Sequence, residues 1–121
     1  MRISYSQIAL LVLFAILLAS GQILFKLTAK ELLGVSGGQN FVARLLQQPV
    51  FWLACLVYGL TTVLWIWLLI QVPLSLAYPF VTLALVIVPI VGWLWFSEPL
   101  NTQYWIGMSL IIVGTTVIVQ S

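Results

Sequence analysis

Gln22 and Lys26, at the end of the first apolar run, carry groups that could bind an anion. They lie four residues apart, so on a helix they share one face. An ammonium group and a side-chain amide on one face can both donate hydrogen bonds to a phosphate oxygen. This pair therefore favours a ligand with an anionic head over a cationic one.

The positions of the acidic residues support the same preference. Glu31 and Glu98 are the two carboxylates of the chain, and both lie beyond the ends of the apolar runs. A carboxylate that exchanges a proton for a cation would lie inside a run, so the sequence argues against that chemistry. With no His, one Cys and no nucleophile–base or metal-ligand cluster, we expect no enzyme activity, no metal and no cofactor. A net charge of +2 is too small for nucleic-acid binding.

Long apolar runs make up most of the sequence. Hydrophobic residues account for 64% of the 121 residues and charged residues for 5%, whereas soluble domains carry about 25% charged residues. About 20 apolar residues cross a bilayer as one helix. We predict an all-α membrane protein with a single domain over residues 1–121. Its four transmembrane helices are predicted at residues 6–27, 50–70, 74–96 and 103–119.

The connection over residues 28–49 is the one long link between predicted spans. Its first part, residues 34–38, is rich in glycine and predicts a flexible loop. Apolar residues then recur at helical spacing around Arg44, which predicts a short amphipathic helix in the membrane interface. These residues are Phe41, Val42, Leu45 and Leu46. Pro49 is expected to end this helix or to begin the second span.

Proline and capping residues mark the later spans. Pro79 and Pro89 fall within the third span, where each removes a backbone hydrogen bond. They predict a bent helix, either a hinge beside a cavity or a plain structural kink. Asn101 or Thr102 is expected to cap the fourth span.

The basic residues predict the orientation and offer further contacts. Lys26, Lys30 and Arg44 lie in or beside the first connection, and Arg2 precedes the first span. The positive-inside rule then places that connection in the cytoplasm and both termini outside, with insertion in both orientations as the alternative. Lys30 and Arg44 could gather anionic headgroups at a site entrance or act only as retention charges. Lys26 could equally extend its ammonium to the lipid headgroups.

Two further candidates and the N-terminus each allow two interpretations. Tyr78 could hydrogen-bond a hydroxyl or phosphate group of a ligand, or act as an interfacial aromatic anchor. Glu98 could bind an amino group of a ligand, or stabilise the turn and the start of the fourth span. Arg2 and the apolar stretch that precedes Ala19 also resemble a signal peptide, but the apolar run continues through Phe25, further than a signal peptide needs.

Three motifs resemble a known family of transporters. They are GQILFK at residues 21–26, VPLSLAYP at residues 72–79 and FSEPL at residues 96–100, followed by a helix with Gly107 and Gly114. On these motifs the chain resembles the small four-helix branch of the drug/metabolite transporter superfamily, which includes small multidrug-resistance and EamA-like proteins. A helix face with two glycines can pack closely against another helix, either within the chain or across a dimer interface.

One position separates this chain from the drug exporters of that branch. Small multidrug-resistance exporters carry an essential Glu eight residues before the Lys that matches Lys26, and here that position is Leu18. The chain is more similar to the subunits that flip aminoarabinose-phosphoundecaprenol in the Arn lipid A modification pathway. The resemblance implies a bacterial inner-membrane flippase for a polyprenyl-phosphate-linked sugar, acting as a homodimer or as a heterodimer with a similar small subunit. The alternatives are an exporter of small cations or polyamines and a non-transporting accessory subunit.

Overall fold

The computed structural model describes residues 3–33 and 39–121, and for Gln39 the backbone alone. Arg2 and the glycine-rich segment 34–38 lie outside the described residues. Within them the chain forms α1 (Tyr5–Glu31), α2 (Gln39–Leu46), α3 (Pro49–Gln71), α4 (Leu74–Ala77), a 3-10 segment (Tyr78–Val81), α5 (Thr82–Trp95) and α6 (Thr102–Gln120). Four stretches are long and apolar enough to cross a membrane, counting α4, the 3-10 segment and α5 as one. The predicted all-α class and the short helix between the first two spans are confirmed.

Local sequence signals explain where most helices begin. Ser4 caps α1, because its hydroxyl accepts a hydrogen bond from the Gln7 backbone N–H. The Ser4 backbone N–H in turn donates to the Gln7 side-chain oxygen. Pro49 occupies the first position of α3, where its missing N–H leaves no hydrogen bond unmade. Asn101 caps α6 by accepting from the Tyr104 amide at 2.8 Å. Of the two predicted caps, the structure therefore selects Asn101.

The end of α1 differs from the prediction. The first span was expected to end near Leu27, but α1 continues to Glu31. The four extra residues are largely polar, so hydropathy gave no reason to include them. Backbone hydrogen bonds continue past the apolar run, which makes α1 longer than the membrane requires.

The third span is broken near its start. After α4, a 3-10 segment that contains Pro79 leads into α5, and the Thr82 hydroxyl donates to the Pro79 carbonyl. The structure thus confirms an interruption at Pro79, whereas Pro89 lies inside α5 without ending it. The Thr82 hydroxyl is also 2.7 Å from the Thr115 hydroxyl, which joins this region to α6.

α1 lies at the centre of the bundle, between α3 and α5, and α6 packs on the outer side of α5. Ala15 and Ala19 are buried on α1, and their small side chains let the helices approach closely. The main apolar core lies toward the N-terminal end of α1. There the Phe14 ring stacks on Trp65, with 4.6 Å between their centroids.

Two peripheral elements present apolar residues to their surroundings. In α6, Met108 is the one buried residue, and most other apolar side chains of this helix are exposed. In α2, Phe41, Val42 and Leu46 are exposed as well. The Trp52 indole N–H donates to the Leu46 carbonyl at 2.9 Å, which fastens the end of α2 to the start of α3.

Candidate functional site

An ion pair joins two of the predicted site residues. The Lys26 ammonium nitrogen on α1 lies 3.1 Å from the Glu98 Oε1 atom in the turn between α5 and α6. The side chains remain 47% and 49% exposed in the single chain. Both charges are therefore satisfied by each other and still accessible to a ligand.

The backbone of the α5–α6 turn aims Glu98 at Lys26. Ser97 has a positive φ of 55°, a conformation that reverses the chain after a helix. The Glu98 amide then donates to the Gly92 carbonyl at 3.1 Å. A Cβ atom at Gly92 would lie 3.4 Å from the Glu98 Oε2 atom, so this glycine leaves room for the carboxylate. The turn thus holds the Glu98 carboxylate against α5 at Gly92.

Lys26 lies near the C-terminal end of α1, a helix that is longer than the hydrocarbon core is thick. α1 has 27 residues, which correspond to about 40 Å, whereas the hydrocarbon core is about 30 Å thick. Lys26 lies about 30 Å along the helix from Tyr5. That distance is close to the thickness of the hydrocarbon core, and Gln22 lies one turn nearer the middle of α1.

Gln22 and Tyr58 form a second polar contact beside the ion pair. The Gln22 amide nitrogen donates to the Tyr58 hydroxyl oxygen at 3.3 Å. Gly21 makes this arrangement possible, because a Cβ atom there would lie 2.9 Å from the Tyr58 Cδ2 atom. The Tyr58 ring also packs against Phe25, with 5.5 Å between centroids.

Three adjoining cavities extend from the ion pair along the bundle, and together they are called the groove here. The first, about 360 Å³, is lined by residues that include Gln22, Lys26, Glu98 and Tyr104. The second, about 270 Å³, shares Gln22 and Tyr104 with it and adds Leu18 and Tyr58. Leu18 and Tyr58 also line the third cavity, about 200 Å³, which ends at Tyr78. The groove is therefore charged at one end and largely apolar toward the other.

A larger cavity of about 480 Å³ lies between α5 and α6, but its lining contains no charged side chain. Leu85, Gly107, Met108 and Ile111 contribute most of its apolar surface, and Tyr104 connects it to the groove. Its size alone does not make it the candidate site, because Lys26 and Glu98 lie in the smaller neighbouring cavity.

Four of the six predicted site residues line the groove, and Lys30 and Arg44 do not. Gln22, Lys26 and Glu98 meet at its charged end. Lys30 lies beside that end, with its ammonium 5.1 Å from the centroid of the Phe96 ring that lines the first cavity. Tyr78 lines the opposite end.

Arg44 lies in the last turn of α2 and does not line the groove. The sequence analysis missed Tyr58 and Tyr104, which each line more than one cavity. The available signal for Tyr58 was a phenol in the middle of an apolar span.

Comparison with known proteins places this chain in a family. The chain is 31% identical over 111 residues to a protein of Pseudomonas fluorescens (strain Pf0-1), covering 92% of this chain and 95% of that protein. It is 34% identical over 110 residues to one of Pseudomonas paraeruginosa (strain DSM 24068 / PA7), covering 91% and 94%. Both are named "probable 4-amino-4-deoxy-L-arabinose-phosphoundecaprenol flippase subunit ArnE". The chain belongs to the ArnE family.

A further ArnE relative, from Klebsiella pneumoniae (strain 342), is 38% identical over 71 residues, which cover 57% of this chain and 63% of that protein. No family model matches the chain, and no solved structure matches it. Together with the four apolar spans, membership of the ArnE family makes the chain a multi-pass membrane protein of a transport family. The resemblance to Arn-type subunits, expected from the motifs at residues 21–26 and 72–79, is confirmed.

Proposed function

We propose that this chain is a subunit of a flippase for a polyprenyl-phosphate-linked sugar in the bacterial inner membrane. The names of its relatives specify 4-amino-4-deoxy-L-arabinose-phosphoundecaprenol, and we extend this class of lipid to the chain. The groove is the observation that carries the proposal, because Lys26 provides a cation at one end of it and an apolar surface leads away from that end.

The two ends of the groove match the two parts of such a lipid. Lys26 and Gln22 can donate hydrogen bonds to the phosphodiester oxygens, and a charge-assisted bond from Lys26 is the stronger of the two. Leu18 and Val81, further along the groove, offer apolar contacts to the first isoprene units. Only the headgroup needs a polar path across the membrane, because the apolar polyprenyl tail can stay in the hydrocarbon of the bilayer.

A second subunit would complete the path. A single chain of this size provides an open groove rather than an enclosed one, and the glycine face of α6 has free space beside it. Cβ atoms at Gly107 and Gly114 would meet no heavy atom within 4 Å. A homodimer, or a heterodimer with a similar small subunit, would bring a helix to that face and shield the headgroup.

The charges also suggest the direction and the energy source. Lys30 and Arg44 lie toward the Lys26 end of the bundle, so the positive-inside rule places this end in the cytoplasm. The groove would then load from the cytoplasmic leaflet. A lipid with one net negative charge gains about 2.3 kcal/mol per 100 mV when it moves outward, whereas a zwitterionic lipid gains nothing and follows its concentration gradient.

Proton-coupled cation export has less support. Leu18 lines two of the three cavities, so the position of the exporters' Glu faces the groove with an apolar side chain. In the described part of the chain, Glu98 is already paired with Lys26. The proposed chemistry is translocation without a covalent step, consistent with relatives that are named as flippase subunits and not as enzymes.

The test is lipid translocation in proteoliposomes. The chain is reconstituted alone and together with similar small subunits, and undecaprenyl-phosphate aminoarabinose is the probe. Because a lost charged hydrogen bond costs about 1.5–3 kcal/mol, Lys26→Ala is expected to reduce the translocation rate at least about tenfold. Lys26→Arg keeps the charge and should retain more activity than Lys26→Ala.

Thr116→Ala serves as a matched control. Its hydroxyl bonds only the Ile112 carbonyl of its own helix, and it lies outside the groove, so this variant should match wild type. Unchanged translocation by a correctly inserted Lys26→Ala variant would contradict the phosphate contact. Proton-driven export of a cation, with no movement of the lipid, would favour the exporter alternative instead.

A further inference from the structure

The Lys26–Glu98 ion pair contributes little to folding at its position. Both side chains are about half exposed, and ion pairs with such exposure add little net stability. Its positioning is nevertheless specific, because the positive φ of Ser97, the Glu98–Gly92 backbone bond and the missing side chain of Gly92 all serve to place this one carboxylate. Such positioning at the head of a groove points to ligand binding.

The charges are arranged in a definite order along the groove. The apolar cavities around Leu18 come first, Gln22 and Lys26 follow at the charged end, and Glu98 lies in the turn that connects α5 with α6. A lipid-linked aminosugar has the same order of parts. Its tail is followed by a phosphodiester with one negative charge, then by a sugar ring, and then by an ammonium group with one positive charge.

We propose that the Lys26–Glu98 pair opens to bind a zwitterionic lipid-linked aminosugar, with Lys26 taking the phosphodiester and Glu98 taking the sugar ammonium. This inference rests on the proposed flippase function and adds to it the residue that binds each charge of the lipid and the residue that selects the amine. Each charge of the protein exchanges its partner for a charge of the lipid. The occupied site therefore remains neutral, as the empty one is.

Glu98 then determines which sugar is accepted. A lipid whose sugar lacks an amine brings only its negative phosphodiester, so Lys26 would leave Glu98 for the phosphate and the carboxylate would stay unpaired beside a like charge. This repulsion rejects neutral sugars, whereas an aminosugar gains an additional charged contact. The carboxylate thus works as a selectivity group rather than as a proton carrier.

The experiment compares two lipids that differ in one charge. Aminoarabinosyl phosphoundecaprenol and its N-acetylated form, which has no ammonium group, are offered separately in proteoliposomes. Wild type should translocate the amino form about ten times faster, the effect of one charged hydrogen bond at a half-exposed site. Glu98→Gln should lose this preference, mainly by slowing the amino form, and Lys26→Ala should slow both lipids.

A charge-swapped double variant, Lys26→Glu with Glu98→Lys, separates ligand binding from a structural role. The swap keeps an ion pair, so a purely structural pair would regain wild-type translocation, and that result would overturn the proposal. We expect the swapped protein to fold as well as wild type and to stay slow with the amino form. The proposal is also overturned if Glu98→Gln moves both lipids and still prefers the amino form as wild type does. That result would leave the proposed flippase function intact. If wild type moves neither lipid, the proposed function itself fails.

Discussion

Replacement of Gly21 by alanine would place a methyl group against the ring of Tyr58. The added Cβ atom would lie 2.9 Å from the Tyr58 Cδ2 atom, whereas ordinary contacts begin at 3.4 Å. The ring or the two helices must therefore shift by about 0.5 Å. The contacted atom is near the base of the ring and not at the end of a flexible chain, and the ring is held by Phe25 and by the hydrogen bond from Gln22, so the clash is costly to relieve.

The expected cost combines two opposing effects. Overpacking at a close helix contact costs about 1–3 kcal/mol. Alanine also favours a helix over glycine by about 0.5–1 kcal/mol, which offsets part of this cost. A net loss of about 1–2 kcal/mol in the free energy of unfolding is expected for Gly21→Ala. The Gln22–Tyr58 hydrogen bond should weaken as well, because the ring that carries the hydroxyl moves.

Equilibrium unfolding in mixed detergent micelles, followed by circular dichroism, measures this change. Gly59→Ala in α3 is the matched control, since a Cβ atom there would meet no heavy atom within 4 Å. That variant should be at least as stable as wild type. If both variants unfold at the same detergent fraction as wild type, α1 and α3 do not approach each other as closely as the structure shows.

Two further variants test local contacts. Asn101→Ala removes the cap of α6 and should cost about 1 kcal/mol, with faster amide hydrogen exchange at Tyr104 as the measurement. Unchanged exchange there would contradict the cap. Trp52→Phe removes the hydrogen bond to the Leu46 carbonyl, at a cost of about 1 kcal/mol. It should speed amide exchange in α2 and leave α3 protected, and equal protection of α2 in both proteins would refute the contact.

The spans were predictable from the sequence because hydropathy and helix caps are local. The fourth span is predicted at residues 103–119, and the helix α6 there is Thr102–Gln120. The polar residues after Leu27 show the limit of this approach. Hydropathy indicates which part of a helix lies in hydrocarbon, whereas the hydrogen bonds that define the helix continue into the headgroup region.

The groove was only partly predictable. Gln22 and Lys26 share a face of one helix, and their spacing alone brings them together. The contact of Lys26 with Glu98, and of Gln22 with Tyr58, depends on how separate helices are rotated against each other. α3 is apolar on all sides, so its sequence does not indicate that Tyr58 faces α1. The roles of the site residues in transport stay predictions.

The left-handed backbone at Ser97 also limits which residues this position can tolerate. Glycine adopts that conformation without strain and asparagine adopts it readily, whereas a β-branched residue such as valine does not. A variant with such a residue at position 97 would keep every charged group of the protein and yet turn the Glu98 carboxylate away from Lys26. In natural relatives or engineered variants, the identity of this uncharged residue would therefore indicate whether the two charges can meet.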